Sequence, residues 1–437
     1  MRPGHVRERP IGLRYYRSSS PGIGGRLKAD PGDFRVEERP GVTPEAVDAD
    51  PGDYPYLVVE ATLEDWDTHR FVDRLARALR IHPDRIGWAG TKDANAVTTQ
   101  WLSLRGVDPT ALPTIPGATL SAVGRLGRQL EFGDHAGNEF AVTVRDATDG
   151  GRTGAIAAEL AGPDGRLVVP NYFGHQRFGA RRPITHRVGR AILRGRYCEA
   201  VRRYLAASSP HEPDRTRAFR AAVAAGPLAA SRLEALLQRC PGYLGHERRL
   251  LEALADGGGV DETSCRGAIE ALGWSLARLF VHAVQSHAFN EILSERLRRG
   301  LPLDRPVEGD VICMRTDDGL RTDRPQRVDA RRLEAARRHC ERGRAAVTAP
   351  LVGPDTSFAG GEPGAIERSV VEGLGLEPEA FPASGPFRAG GDRRALAVHP
   401  EVAVDGDPPT FRFGLPPGAY ATVVMREFCK ADPLAMV

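Results

Sequence analysis

The sequence predicts an α/β protein of the α+β type with two domains, and three observations predict it. Strand-like alternation dominates up to about residue 166. An arginine-rich, helically periodic stretch then runs for about two hundred residues, and alternating segments return near residue 393. Pro- and Gly-rich joints at residues 351–364 and 381–392 mark where the helical stretch gives way, and no internal repeat is visible.

The elements follow in order. Residues 25–38 (GRLKADPGDFRVEE) carry a D-P-G-D turn leading into a half-buried strand with Phe34 and Val36 alternating, and Lys28 and Phe34 flank that turn. Residues 56–63 (YLVVEATL) read as a strand. In THRFVDRLARALRI, Phe71, Val72, Leu75 and Leu79 share one helical face, Thr68 serves as N-cap, and the helix ends near His82-Pro83. Residues 86–89 form a short apolar strand, residues 90–95 a polar turn that projects Asp93, and residues 97–104 an alternating strand. A Gly-Asn turn at Gly137-Asn138 predicts a hairpin followed by a strand carrying Phe140, Val142 and Val144. The longest helical pattern spans residues 268–297 and stops at Gly300, with Phe289 and Ile292 in the core and Gln285, Ser286 and Asn290 at a domain interface. The closing segments RRALAVHPEVAV and TFRFGLPPGAYATVVMREF read as strands that rejoin the N-terminal sheet, the last ending at Met425, Arg426 and Glu427.

Composition narrows the class. In 437 residues, 41% hydrophobic and 27% charged, Gly and Pro together stay below the content of low-complexity chains. The chain is folded and loop-rich. Six scattered cysteines without a C-x-x-C pair give neither a zinc ribbon nor a readable disulfide framework, so a reducing, intracellular compartment fits. No run of about 18 apolar residues exists to span a bilayer, and the N-terminus has arginines but no apolar stretch for a secretory signal. A cytoplasmic location is expected.

A net charge of +3 does not announce a nucleic-acid binder, but its distribution says more. Residues 172–204 hold nine arginines against the single acid Glu199, with five aromatics interleaved. That field suits a phosphate backbone, or else a solvated helical face. Of the 60 basic residues only three, Lys28, Lys92 and Lys430, are lysine. In such a chain a lysine marks a position that uses a compact ammonium rather than a planar fork.

The motif that narrows the reading is GTKDANAVTTQ at residues 90–100, with Asp93 at a glycine-led turn, Lys92 beside it and Gln100 on the adjoining strand. Alone it is ordinary turn chemistry. Together with PGDFRVEE, GNEF, NYFGHQRFG, QSHAFN and LPPGAYATVVMREF, in that order along nearly the whole chain, it resembles the TruD family of transfer RNA pseudouridine synthases, in its archaeal and eukaryotic branch. The resemblance implies a pseudouridine synthase core with a mainly antiparallel mixed sheet, formed by residues 1–166 and 386–437, and an α-rich inserted TRUD domain at residues 167–385. It implies conversion of uridine to pseudouridine, usually at uridine 13 of transfer RNA, with no cofactor, no metal and no obligatory protein partner. Transfer RNA is the expected partner, other structured RNA a further one, and a membrane is not.

Asp93 falls on the family's catalytic aspartate. It must be ionised to act as nucleophile or to take a sugar proton, yet a partly dry pocket raises a carboxyl pKa, so a buried cation is the remedy. Lys28 matches the family's basic residue in K-x-x-P-x-D-F and is assigned that ion pair; a surface lysine beside a turn is the bland reading. Lys92 is a weaker candidate for phosphate contact. Phe34 and Phe140, in D-F and G-N-x-F, stack on the target base or serve as strand core. Asn138 holds Asp93 or a base edge, or serves its turn. Gln100 hydrogen-bonds within the pocket, or faces solvent. Extruding a uridine costs a few kcal/mol, which backbone binding must supply, and Arg177 and Arg181 are the candidates for gripping phosphates. His175 replaces the acidic residue often found there in the family, and Arg426 is a candidate to face RNA. Two rival classes remain: an RNA-binding or chaperone protein with the same cleft and no chemistry, and a hydrolase in which Asp93 activates water.

Overall fold

The computed structural model describes residues 1–92, 94–316 and 319–436; Asp93 lies outside the described residues. Two sheets organise the chain. Their principal strands are β1 (Phe34–Pro40), β2 (Tyr56–Glu64), β3 (Ile86–Trp88), β4 (Val97–Arg105), β5 (Ala118–Leu126), β6 (His135–Thr143), β7 (Val311–Thr316), β8 (Ala345–Leu351), β9 (Asp392–Ala395), β10 (Ala403–Asp405) and β11 (Thr410–Leu415). The larger sheet has the order β10-β11-β6-β1-β4-β2-β5, with β3 on β4. Within it β1 and β4 run parallel, Arg35 opposite Val97, and the other pairings are antiparallel. This is the mainly antiparallel mixed sheet that was expected.

Alternation explains why the sheet forms. Leu57, Val59, Ala61 and Leu63 of β2 point to one face and pack on Phe71, Val72 and Leu75 of α1 (Thr68–Leu79). The smaller sheet joins β7, β8 and β9 with short strands at Gly319–Leu320 and Gln326–Arg327. Between the two sheets in sequence come α2 (Thr185–Leu193), α3 (Tyr197–Ala206), four further helices over residues 214–270 and the long α4 (Trp274–Arg298). Phe280, Val281 and Val284 of α4 enter the core of the helical bundle, while Phe289, Ile292 and Leu293 enter a second core with Tyr172, Phe178, Ile312 and Val347. One helix thus ties the bundle to the smaller sheet.

Several local expectations change. The N-cap of α1 is Asp67, which accepts from the Arg70 amide, and Thr68 is buried instead. Gly137 and Asn138 lie inside β6, because pairing with β1 on one side and β11 on the other keeps the segment extended. The pattern at residues 268–297 is two helices, Glu262–Glu270 and α4, divided at Gly273, whose φ of +93° no helix accepts. The segment RRALAVHPEVAV splits, β9 completing the smaller sheet while β10 joins the larger.

The final segment is helical, α5 (Ala421–Cys429), not a strand. Its apolar side packs on β6 and β11 through Val424, Met425 and Phe428, and its polar residues are also satisfied internally. Arg426 therefore does not face RNA: its Nε donates to Glu8 at 2.7 Å and its guanidinium lies 4.0 Å from the Tyr16 ring centre. Cys198 and Cys265 form a disulfide across a separation of 67 residues, which their spacing did not reveal; the other four cysteines are free and buried. No helix among the described residues is long and apolar enough to cross a membrane.

The Arg426–Glu8 pair gives a direct test of how the N-terminal segment is held. Arg426→Ala leaves the Glu8 carboxylate buried without its cation, and a cost of roughly 3–5 kcal/mol is expected. Thermal melting should show a midpoint several degrees lower; an unchanged midpoint would mean the pair contributes nothing.

Candidate active site

The parallel pairing of β1 with β4 places the segments that precede both strands at the same end of the sheet. The turn at residues 27–33 leads into β1 and the loop at residues 89–96 into β4, so the two meet, and Asn95 Nδ2 donates to the Lys28 carbonyl at 3.4 Å. Arg145 clamps that turn through two bonds to Asp33 Oδ1, of 2.9 and 2.6 Å. Hydrogen bonding from Arg145 holds the Asp33 carboxyl below the usual carboxylate range.

A cavity of about 480 Å³ opens here, lined among others by Phe34, Lys92, Asn138, Phe140, Arg177 and Tyr420. Its aromatic wall is ordered. Phe34 meets Phe140 edge to face at 6.1 Å, and Phe140 stacks on Phe413 at 5.6 Å. Phe34 is nearly covered, while Phe140 keeps more surface toward the cavity. The first turn of α5, Ala421 and Thr422, presents the positive end of that helix on the opposite side. Phe132, 77% exposed, stands at the rim.

The residues named from the sequence fall into three groups. Phe34, Asn138, Phe140 and Arg177 line one cavity, and Gly90, Thr91 and Lys92 line it with them. Lys28 is buried beside it, its ammonium 4.5 Å from the Phe34 ring centre. Its φ of +53° is the left-handed region that a non-glycine residue rarely adopts. Asn138 Oδ1 is buried and has no partner among the described residues.

Gln100 does not line the cavity. It is buried behind the loop, where its Oε1 accepts from Thr68 Oγ1 at 3.2 Å and that hydroxyl accepts from the Lys92 amide at 2.9 Å. Gln100 and Thr68 thereby brace the loop from beneath. The Lys92 ammonium is bound to Glu38 in a buried ion pair, and Glu38 also accepts from the Trp101 amide at 3.3 Å. That pairing, not a phosphate, satisfies Lys92.

The arginine run of residues 172–204 is divided in three dimensions. Arg182 turns inward to Glu212, Glu247 and two carbonyls. Arg196 and Arg203 share Glu199, and Arg190 caps the Leu374 carbonyl. Arg181, Arg187, Arg194 and Arg202 are exposed, and Arg181 does not line the cavity. Arg177 is part-buried, donates to Ser286 Oγ at 3.2 Å, and its charge is disfavoured by burial. His175 is buried with neither ring nitrogen partnered among the described residues, and burial pushes its pKa down to about 4. Glu38, Thr68, His135 and Tyr420 also contribute to the site or its support and were not singled out. Tyr420 and Glu38 had a visible signal, the LPPGAY and PGDFRVEE strings.

Comparison with known proteins agrees with this architecture. A sequence model of the family described as tRNA pseudouridine synthase D (TruD) matches residues 10–428. The chain is 48% identical over 443 residues to the "Probable tRNA pseudouridine synthase D" of Halobacterium salinarum, covering 100% of both. It is 49% identical over 440 residues to the protein of the same name from Natronomonas pharaonis, again over 100% of both. The crystal structure of the "Putative tRNA pseudouridine synthase D (TruD)" from Methanosarcina mazei superposes with a TM-score of 0.80 at 34% identity, covering 98% of each chain. These matches place the chain among the pseudouridine synthases. Within that class it belongs to the TruD family.

The bracing of the loop is testable. Thr68→Val removes the acceptor of the Lys92 amide and the donor to Gln100, a loss of about 1–3 kcal/mol confined to this loop. Hydrogen exchange at the Lys92 amide should accelerate by tenfold or more while core amides keep their protection; equal exchange in both proteins would count against the brace.

Proposed function

We propose that this protein isomerises uridine to pseudouridine in transfer RNA, at uridine 13, with Asp93 as the catalytic carboxylate and Lys28 as its cation. The observation that carries the reading is one cavity lined jointly by Phe34, Asn138, Phe140, Arg177 and the residues leading to position 93. The family membership supplies the reaction. The N-glycosidic bond breaks, the base turns, C5 bonds to C1′, and the proton lost from C5 is matched by one gained at the former glycosidic nitrogen. Atoms and electrons balance, so the step consumes no co-reactant.

Each residue then has a physical task. A carboxylate facing a dry base pocket needs a nearby cation to stay ionised, and the covered Lys28 ammonium beside Phe34 supports that pairing. The bond from Asn95 to the Lys28 carbonyl supports it further, since it ties the lysine's turn to the loop just past residue 93. The extruded uracil stacks on Phe140, and Asn138 Oδ1 accepts from its imide N–H. Arg177 takes a phosphate. We assign residues 1–166 and 386–437 to the catalytic core and residues 167–385 to the inserted domain, and place the protein in the cytoplasm, where its RNA resides.

The test is conversion of uridine in a transfer RNA transcript. Wild type should give an isomer of unchanged mass at position 13, and Asp93→Ala should lose about 10²–10⁴-fold or more in rate. Equal product from both would remove the assignment of Asp93. Free uracil would indicate a hydrolase, and tight binding without product an RNA-binding protein.

Lys28→Met tests the cation separately. Without the ammonium the charged form of the carboxylate is less favoured, so turnover should fall and the acid limb of the rate–pH profile should move to higher pH. An unmoved limb would separate Lys28 from the ionisation of Asp93.

A further inference from the structure

A second concavity, of about 610 Å³, adjoins the catalytic one, and Pro417 and Ala419 line both. It lies between the two sheets, with Arg39 and Gly414 from the larger and Arg315, Ala345 and Leu351 from the smaller. Among the described residues, six basic side chains line it against one carboxylate, Asp392.

The partners of the arginines distinguish them. Arg393 is neutralised by Glu367 at 3.3 Å, Arg166 by Asp164 at 2.6 Å and Arg39 by Glu139 at 3.2 Å. Arg394 is not. Among the described residues its three donors reach only neutral acceptors, the Asn171 carbonyl and Oδ1 and the Gly418 carbonyl, and its guanidinium lies 4.2 Å from the Phe173 ring centre. Arg177 approaches the same ring from the catalytic side, at 5.8 Å, and among the described residues bonds only the Ser286 hydroxyl. Burial pushes the Arg394 pKa down to about 10, and the neighbouring Arg177 charge adds to that effect. On the far wall Arg315 is exposed and has no acidic or carbonyl partner for its side chain among the described residues.

Burying part of a guanidinium without a counter-charge is unfavourable, and a ligand that brings the missing anion offsets the penalty. Arg177 and Arg394 are such groups, one on each side of the ridge at residues 416–419, and Arg315 continues the line at the open wall beyond them. We propose that these three guanidiniums receive consecutive phosphodiesters of the RNA strand flanking the target uridine, leading it from the catalytic cavity over that ridge into the second concavity. The assignment rests on transfer RNA being the substrate. It sends the strand toward the smaller sheet rather than along the exposed arginines of α2 and α3.

The experiment uses the full chain and a transfer RNA transcript. Arg315→Glu, at an exposed position with no side-chain partner among the described residues, should raise KM about tenfold, with the effect carried by KM rather than kcat. It should also lower the slope of log affinity against log salt by about 0.7–0.9 for each phosphate no longer held. Arg239→Glu, exposed on a helix outside both concavities, should match wild type in both. A transcript with methylphosphonate at the three consecutive linkages that flank the target uridine should bind wild type more weakly, yet cost Arg315→Glu less, because one of those charge pairs is already gone. Equal KM and salt slope for Arg315→Glu and wild type would overturn the subsite. Binding slopes that change as expected alongside a wild type that forms no pseudouridine would instead refute the proposed function and leave the subsite standing.

Discussion

The parallel pairing of β1 with β4 is the constraint on which the site depends. In an antiparallel pair the segments leading into two strands sit at opposite ends of the sheet; in a parallel pair they share an end. Here that rule brings the Lys28 turn beside the loop at residues 89–96, with Asn95 bonded to the Lys28 carbonyl. β6 runs antiparallel on the other side of β1 and sets Phe140 opposite Val36, so its ring reaches Phe34. β11 adds Phe413 beneath Phe140. Four sequence segments far apart in the chain thus meet in one cavity through strand order and register alone.

Electrostatics shapes what surrounds that cavity. A chain that relies on arginine for positive charge spends much of it internally, as in Arg426 with Glu8, Arg296 with Asp310 and Arg220 with Glu247. Such pairs are retained because each half would be costly alone. Lys92 belongs with them through Glu38, whereas Arg177 and Arg394 have only neutral acceptors among the described residues. The net charge of +3 conceals this division, since a paired guanidinium and an unpaired one count equally in composition.

Much of the scaffold could be read without coordinates. β2, β4 and α1 fall where alternation and helical periodicity put them, because each buries one face against one partner layer, and that arrangement prints a regular pattern. The pattern misleads where partners lie on more than one side. Residues 421–429 are buried nearly all round, so TVVMREF has no polar stripe to betray a helix. Gly137-Asn138 has the composition of a turn, but a strand on each side holds it straight. Within the site, the motif strings carried Phe34, Asn138, Phe140 and Arg177, which line one cavity. His135 carried no local signal, and for Glu38, in a motif string, and Thr68, at a helix start, the place in the site follows from what they meet across the fold.

By itself the sequence determined the α+β class, the family to which the chain belongs and the segments from which its cavity is built, because these are written in local periodicity and in short contiguous motifs. Only the tertiary structure decided which charges remain uncompensated, which of Gln100 and Asn138 faces the cavity, and that Arg426 is buried. Those outcomes depend on pairings between residues up to four hundred positions apart, such as Glu8 with Arg426, and a linear sequence carries no record of which distant groups share a low-dielectric interior.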